Sequence, residues 1–371
     1  MSTVPRLTDG VVTLRAHRPS DVQRSWEQCQ DPESIRWTTV PVPYSQADAE
    51  EFNATMPGLW ESDAEWIFAV EYAGRYAGTV SLRNERSRRA EIAYGSHPDV
   101  RGVRVDGRSV MERALRLLLA WGFEAKALET VIWWAERGNW ASRRLAWRLG
   151  FRVEGMVRQW QPQRGELRDG WVGTLRRGDP QEPATAWLDT PRIAGAGVVL
   201  RPLAETDVPR IVEACSDERT QHWLGTMPAP YSLADAIGWI GRTRQWAAEG
   251  SKVHWAIADP ETDLLLGAVN VFDLEHGFEG EIGYWTHPDA RGRGVMTEAA
   301  RLAAAYSFDE LGVQILRGVA AVDNAASRHV LESLGMRLWG VERAGTIVRT
   351  GRSDAARYDV TVQEYAGVRP R

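Results

Sequence analysis

The chain has 371 residues, 43% of them hydrophobic and 26% charged, which excludes an intrinsically disordered protein and is too long for a single hydrophobic core. A formal net charge of −5 argues against a nucleic-acid binder that relies on overall positive charge, and no apolar run approaches the roughly 20 residues of a membrane span. Two cysteines, Cys29 and Cys215, cannot build a disulfide framework, and the first residues lack the apolar stretch of a secretory signal, so a reducing cytoplasm is expected.

The sequence is written twice. Val11-Val12-Thr13-Leu14-Arg15 through Asp21-Val22 recurs as Val198-Val199-Leu200-Arg201 through Asp207-Val208, and Pro43-Tyr44-Ser45 recurs as Pro230-Tyr231-Ser232. Glu91-Ile92-Ala93-Tyr94 matches Glu281-Ile282-Gly283-Tyr284, each with His-Pro shortly after, and Asn139-x-x-Ser142-Arg143 matches Asn324-x-x-Ser327-Arg328. Even the cysteines correspond. A period of roughly 185–190 residues is a whole domain, so this is gene-scale duplication. The Pro-containing stretch between about 178 and 192 reads as linker, giving domains at 1–178 and 192–371.

Within the C-terminal copy, Val198 to Pro202 reads as a strand and Thr206-Asp207 as the cap of an apolar-periodic helix. Tyr231 to Trp246 has helical spacing with Ser232 as its cap. His254 to Ala258 and Leu264 to Phe272 read as a hairpin pair, and Gly280 to Thr286 as a further strand. Gly294 to Leu311 is Ala-rich and free of internal Gly and Pro, a strong helix. Ile315 to Val322 is a strand, Ala325 to Leu334 a helix stopped by Gly335, and a last strand falls near Arg357 to Gln363. The order is that of an α+β domain built on one mixed sheet flanked by helices.

The chemistry concentrates where a strand ends, a Gly-rich turn follows and a long helix begins: Thr286-His287-Pro288-Asp289-Ala290-Arg291-Gly292-Arg293-Gly294-Val295-Met296-Thr297. Unpaired amides and the dipole at a helix start suit a phosphate, glycines let the backbone approach it, and Arg291 and Arg293 add charge. Arg291-x-x-Gly294-x-Met296 resembles the pyrophosphate loop of GNAT acetyltransferases, normally Gln/Arg-x-x-Gly-x-Gly/Ala; Met296 departs at the last position in the manner of the ribosomal-protein N-acetyltransferase branch. Glu281 to Trp285 before it, and Asn324-x-x-Ser327 with Leu334-Gly335-Met336 after it, also resemble that branch. The resemblance covers nearly the whole chain, twice, and implies two GNAT domains. In the N-terminal copy, extra residues lengthen the turn from Arg101 to Ser109, Ser109 replaces Gly294, and Asp106 puts a negative charge near the expected anion. A weakened cofactor site is expected there.

The resemblance implies direct attack of an amine on the acetyl-CoA thioester, without a covalent acyl-enzyme. Glu281 is the candidate base, working through water, with His254 and His287 as alternatives. Backbone amides of a splayed strand at Tyr284, Trp285 and Thr286 would face the oxyanion, and Ser327 would protonate the leaving thiolate. Residues 291–297 (Arg291, Gly292, Arg293, Gly294, Val295, Met296, Thr297), with Asn324, Ser327 and Arg328, would hold the cofactor. For Asn324 and Ser327 the plain alternative is helix capping. Trp223, Tyr231, Trp239 and Trp255 fall where acceptor pockets lie in this fold, with core packing the competing account. Cys215 reads as a small buried hydrophobe, and the run from Arg83 to Arg89 as a solvated hairpin loop.

The expected function is an acetyl-CoA-dependent N-acetyltransferase acting on a small-molecule amine or a protein N-terminus, with no metal, nucleic acid or membrane partner. Competing expectations are a non-catalytic CoA-binding scaffold, a tandem enzyme resembling mycothiol synthase, and an aminoacyl-tRNA-dependent transferase, which would need a basic groove.

Overall fold

The computed structural model describes residues 4–274 and 278–368 and divides between Ala184 and Thr185 into two compact units. The N-terminal unit opens with strands β1 (Leu7–Thr8) and β2 (Val12–Arg15), then helices α1 (Val22–Gln30), α2 (Pro32–Trp37) and α3 (Gln46–Glu61). Strands β3 (Glu65–Tyr72), β4 (Arg75–Arg86) and β5 (Arg89–Ser96) follow, then the short pair β6 (Arg104–Val105) and β7 (Arg108–Ser109). Helix α4 (Val110–Glu124), strand β8 (Thr130–Glu136), helix α5 (Trp140–Arg148) and the hairpin β9 (Arg152–Gln163) and β10 (Glu166–Arg176) complete it.

The C-terminal unit repeats the plan. It runs β11 (Ile193–Ala194), β12 (Val199–Arg201), α6 (Val208–Ser216), α7 (Glu218–Trp223) and α8 (Leu233–Ala248). Next come β13 (Val253–Ala258), β14 (Leu265–Phe272), β15 (Glu279–Thr286), α9 (Val295–Asp309), β16 (Ile315–Ala321) and α10 (Ala325–Ser333). The hairpin β17 (Arg337–Val348) and β18 (Gly351–Thr361) leads into α11 (Val362–Val368). Each unit holds one mixed eight-stranded sheet, ordered β1-β2-β3-β4-β5-β8-β10-β9 and β11-β12-β13-β14-β15-β16-β18-β17. The architecture is α+β, as the element order predicts. No helix or strand lies between Arg176 and Ile193. Among the described residues no helix is long and apolar enough to cross a membrane.

Local sequence explains the framework. Ser45 with Asp48, and Ser232 with Asp235, form reciprocal capping boxes that start α3 and α8. Along α9 the buried residues Val295, Met296, Ala299, Ala300, Ala303, Ala304 and Phe308 recur at helical spacing, and the small alanines let the helix lie close on the sheet. One sheet face meets α9 through Trp255, Val269, Val271 and Ile282; the opposite face meets α6 and α8 through Ala256 and Leu265.

Several elements differ from the sequence reading. Asp207 precedes α6 but does not cap it; its carboxylate grips Arg201 with two bonds of 2.8 Å and accepts from the Ala204 amide. Both side chains are buried, and Arg15 with Asp21 repeats the pair in the other unit. Arg201 also donates to the Asp263 carboxylate at 2.9 Å, so losing Asp207 removes the buried one of its two carboxylate partners. Asp207→Ala is expected to destabilise the C-terminal unit by about 2 kcal/mol, visible as a lower urea midpoint, and an unchanged midpoint would contradict this role. Strand β17, α7 and α11 lie outside the predicted elements. The run from Arg83 is strand as far as Arg86, so the hairpin loop is only Ser87 and Arg88, both at positive φ.

Candidate active site

Strand β15 pairs with β14 from Glu281 to Thr286, but its parallel pairing with β16 stops at Ile282 opposite Gly318. Beyond that point the two strands part, and the edge of Gly283 to Thr286 facing β16 has no strand partner among the described residues. The same opening occurs between β5 and β8 after Ile92. Free backbone donors at a splayed edge are what an oxyanion site needs.

A cavity of about 540 Å³ lies at this opening, lined by Tyr284, Trp285 and Thr286, by Arg291, Gly292, Gly294, Val295, Met296 and Thr297, and by Asn324 and Ser327. A second cavity of about 340 Å³ shares Trp223, Leu224, Asn324 and Ser327 with the first and adds Glu281, Val319, Thr346 and Arg357. Residues far apart in sequence thus meet around Ser327.

At the start of α9 the cap residue is Gly294, in the left-handed conformation with φ 74°, and no side chain caps the helix. A Cβ there would meet nothing within 4 Å, so packing does not demand glycine; the backbone conformation does. The first-turn amides stay open toward the large cavity. Arg291 pairs with Asp217 and donates to the Thr220 hydroxyl at 2.9 Å, so it clamps α7 beside the turn and brings an already matched charge.

The Tyr284 hydroxyl donates to the Ser327 carbonyl at 3.0 Å and lies 3.1 Å from Ser327 Oγ. Burial pushes its phenol pKa up, so it remains a neutral hydrogen-bonding group. Asn324 does cap α10, its Oδ1 accepting from the Ser327 amide at 3.2 Å. The Glu281 pKa is raised, chiefly by burial and then by nearby Asp273, while Arg357 and Arg317 oppose the shift.

Seven sequence-predicted site residues lie elsewhere. Trp255 is wholly buried on the α9 face, edge-on to Tyr306, with its indole donating to the Pro191 carbonyl. Tyr231 packs in the α6–α8 cluster against the Cys215 thiol. Arg328 lines neither cavity: it donates to the Tyr358 hydroxyl at 2.9 Å and to the Val322 carbonyl. Arg293 is exposed and lines neither. Trp239 packs edge-on to His254 and tilted against Trp285. His254 is buried under Trp246, and burial pushes its pKa down to about 3; His287 is held by Arg210, Glu213 and the Asp289 amide. Neither histidine lines either cavity. The buried Cys215 thiol is pushed up to about 12, in keeping with an inert apolar role. Sequence reasoning missed Arg219, Thr220, Leu224 and His329 on the cavity wall. The Arg291–Asp217 bond that brings three of them there is long-range and leaves no local trace.

The N-terminal unit keeps Tyr94, Ser142 and Asn139 in the same relation, with Tyr94 and Ser142 hydroxyls 2.7 Å apart. Its Trp133 donates to both, from a position that is Gly318 in the twin. Glu91 is bound by Arg83 and Asn84. The lengthened turn is a tight hairpin, β6 and β7 joined by Asp106 and Gly107 at positive φ, and Ser109 caps α4 by accepting from the Glu112 amide. The Asp106 carboxylate turns to Arg113. The difference from the C-terminal turn is thus a capped helix behind a hairpin, more than an added charge.

Comparison with known proteins places this geometry in context. The family described as "Acetyltransferase (GNAT) domain" matches residues 12–152 and 198–337. The putative ribosomal N-acetyltransferase YdaF of Bacillus subtilis (strain 168) is 33% identical over 104 residues, which is 28% of this chain and 57% of that protein. The match thus spans little more than half of that relative. The probable N-acetyltransferase YjcK of the same organism is 27% identical over 156 residues, 41% of this chain and 86% of that protein. Among solved structures, Mycobacterium smegmatis RimJ in complex with CoA-disulfide is 20% identical with a TM-score of 0.44, covering 48% of this chain and 90% of that one.

Proposed function

This chain belongs to the GNAT acetyltransferase family through two copies of its domain, and from that premise we propose that the C-terminal unit is an acetyl-CoA-dependent N-acetyltransferase acting on a primary amine. The observation that carries the reading is the uncapped, left-handed start of α9 opening onto a cavity that adjoins Glu281 through Ser327. The amides of the first turn of α9, with Gly292 and Gly294, would hold the pyrophosphate. Asn324 and Tyr284 would border the pantetheine arm. When bound, acetyl-CoA supplies an activated acyl group.

The protein's own residues then have three tasks. Glu281 takes a proton from the ammonium of the acceptor, directly or through water; lysine-type amines titrate near ~10 and α-amines near ~8, so a base is needed at neutral pH. Backbone donors along Tyr284 to Thr286 stabilise negative charge on the carbonyl oxygen. Ser327, positioned by Tyr284, delivers a proton to the departing sulfur. The acceptor enters through the smaller cavity, past Trp223. A small-molecule amine and a protein N-terminus both fit this chemistry. In the N-terminal unit the Ser109 cap, the hairpin and the engaged Glu91 support a site that has lost acyl-donor binding, leaving that unit a non-catalytic partner.

Incubating the purified chain with acetyl-CoA and a panel of small amines and short peptides is expected to release free CoA thiol in step with acceptor acetylation, followed by mass spectrometry. Acetyl-CoA binding with no transfer to any amine would favour the scaffold reading instead.

A further inference from the structure

The N-terminal unit contains a cavity of about 450 Å³ under α3, and none of Glu91, Ser109, Asn139 or Ser142 lines it. His17 and Asn53 do, together with Met56 and Trp60, and the carboxyl-bearing residues Glu50 and Glu61. Among the described residues, the buried His17 Nδ1 and Asn53 Oδ1 have no hydrogen-bond partner. Buried polar atoms are nearly always paired, so two orphans at one cavity call for an explanation.

The duplication supplies an internal comparison. Counting from the matched Arg15 and Arg201, His17 corresponds to Leu203; counting from the matched caps Ser45 and Ser232, Asn53 corresponds to Ile240. Leu203 and Ile240 are both buried and belong to one apolar cluster of the C-terminal unit. The same fold therefore closes this position with two aliphatic side chains in one copy and leaves two polar ones beside a cavity in the other. Stability alone favours the aliphatic pair.

The polar groups share a sign. His17 stays neutral at pH 7, because burial pushes its pKa down to about 4. Its Nε2 lies 3.2 Å from Thr79 Oγ1; the tautomer donating there leaves Nδ1 a lone-pair acceptor. Asn53 spends its Nδ2 on the Arg18 carbonyl, so its Oδ1 is an acceptor too. Glu50 and Glu61, exposed and eleven residues apart, lie with Asn53 along one face of α3 and bring two negative charges. Acceptors and carboxylates around an apolar wall suit a ligand with N–H donors on a hydrophobic body.

We propose that this cavity is a binding site for a small hydrophobic primary amine, with the ammonium directed to His17, Asn53 and the nearer Glu50 carboxylate, the apolar body against Met56 and Trp60, and Glu61, about 16 Å further along α3, adding negative potential at the far end. The site is independent of acyl transfer. The test is calorimetric titration of the full chain, without acyl donor, with phenethylamine and with its neutral counterpart 2-phenylethanol. Saturable binding is expected for the amine and at least about tenfold weaker binding for the alcohol. Binding is expected to vanish in His17→Leu/Asn53→Ile, which installs the residues of the twin and leaves every residue lining the acceptor cavity unchanged. Should the double substitution fail to fold, the exposed pair Glu50→Gln/Glu61→Gln decides, since it must remove the preference for amine over alcohol. Absence of amine binding, equal affinity for amine and alcohol, or amine binding unchanged by these N-terminal substitutions would overturn the proposal.

Discussion

Glu281→Gln is expected to lower kcat for acetyl transfer roughly 100-fold, the lower range for losing a positioned general base, while acetyl-CoA affinity stays within about twofold. Glutamine preserves the shape of the side chain on β15 and removes only its capacity to take a proton. The pH dependence provides a second reading. The Glu281 pKa is raised mainly by burial, so the base becomes protonated, and activity falls, at a higher pH than for an exposed glutamate. The acid limb of the kcat/KM profile should therefore sit above the ordinary carboxylate range in the wild type and disappear in the variant. If Glu281 only orders the ammonium of the acceptor, KM for the amine rises and kcat is kept, which would refute the base assignment.

Gly294→Asp is expected to weaken acetyl-CoA binding about 100-fold without unfolding the chain. Asp is among the side chains that tolerate φ near the 74° found here, and its carboxylate can cap the first turn of α9, so the fold is retained. That same carboxylate occupies the amides proposed to face the pyrophosphate and sets like charge against it. Two charges 4 Å apart interact by between about 1 and 4 kcal/mol, depending on how exposed they are, and a 100-fold loss falls inside that range. The substitution imitates what Ser109 already does at the start of α4, where a side-chain oxygen engages the Glu112 amide.

Much of the fold was readable because duplication repeats each local signal. Ser45-x-x-Asp48 and Ser232-x-x-Asp235 announce their helices, and Gly335, at φ 77°, ends α10 as a glycine stop should. Strand β17 escaped, while its hairpin partner β18 was read in part, because β17 is exposed on both faces over most of its length, so no apolar alternation marks it. Helix α7, six residues long, is too short to show a period. Within the site, misplacements follow from geometry that spacing alone leaves open. Trp255 stands one residue from His254, and one step along a strand reverses the face, which puts it in the α9 core. Arg328 stands one residue from Ser327, and one step around a helix carried it to Tyr358. Glycines at 292 and 294, Glu281 and Ser327 were legible because their chemistry and their positions agree; Arg219, Thr220 and His329 were not, because tertiary contacts bring them to the cavity.

Of the two similar folds, only the C-terminal one is proposed to retain acyl-donor binding, and the stoichiometry of acetyl-CoA binding decides between one site and two. Isothermal titration is predicted to give one site per chain in the wild type and none at the same concentrations in Gly294→Asp. Two sites in the wild type, with one surviving the substitution, would show that the hairpin and the Ser109 cap do not close the N-terminal turn, and would contradict the assignment of a single catalytic unit.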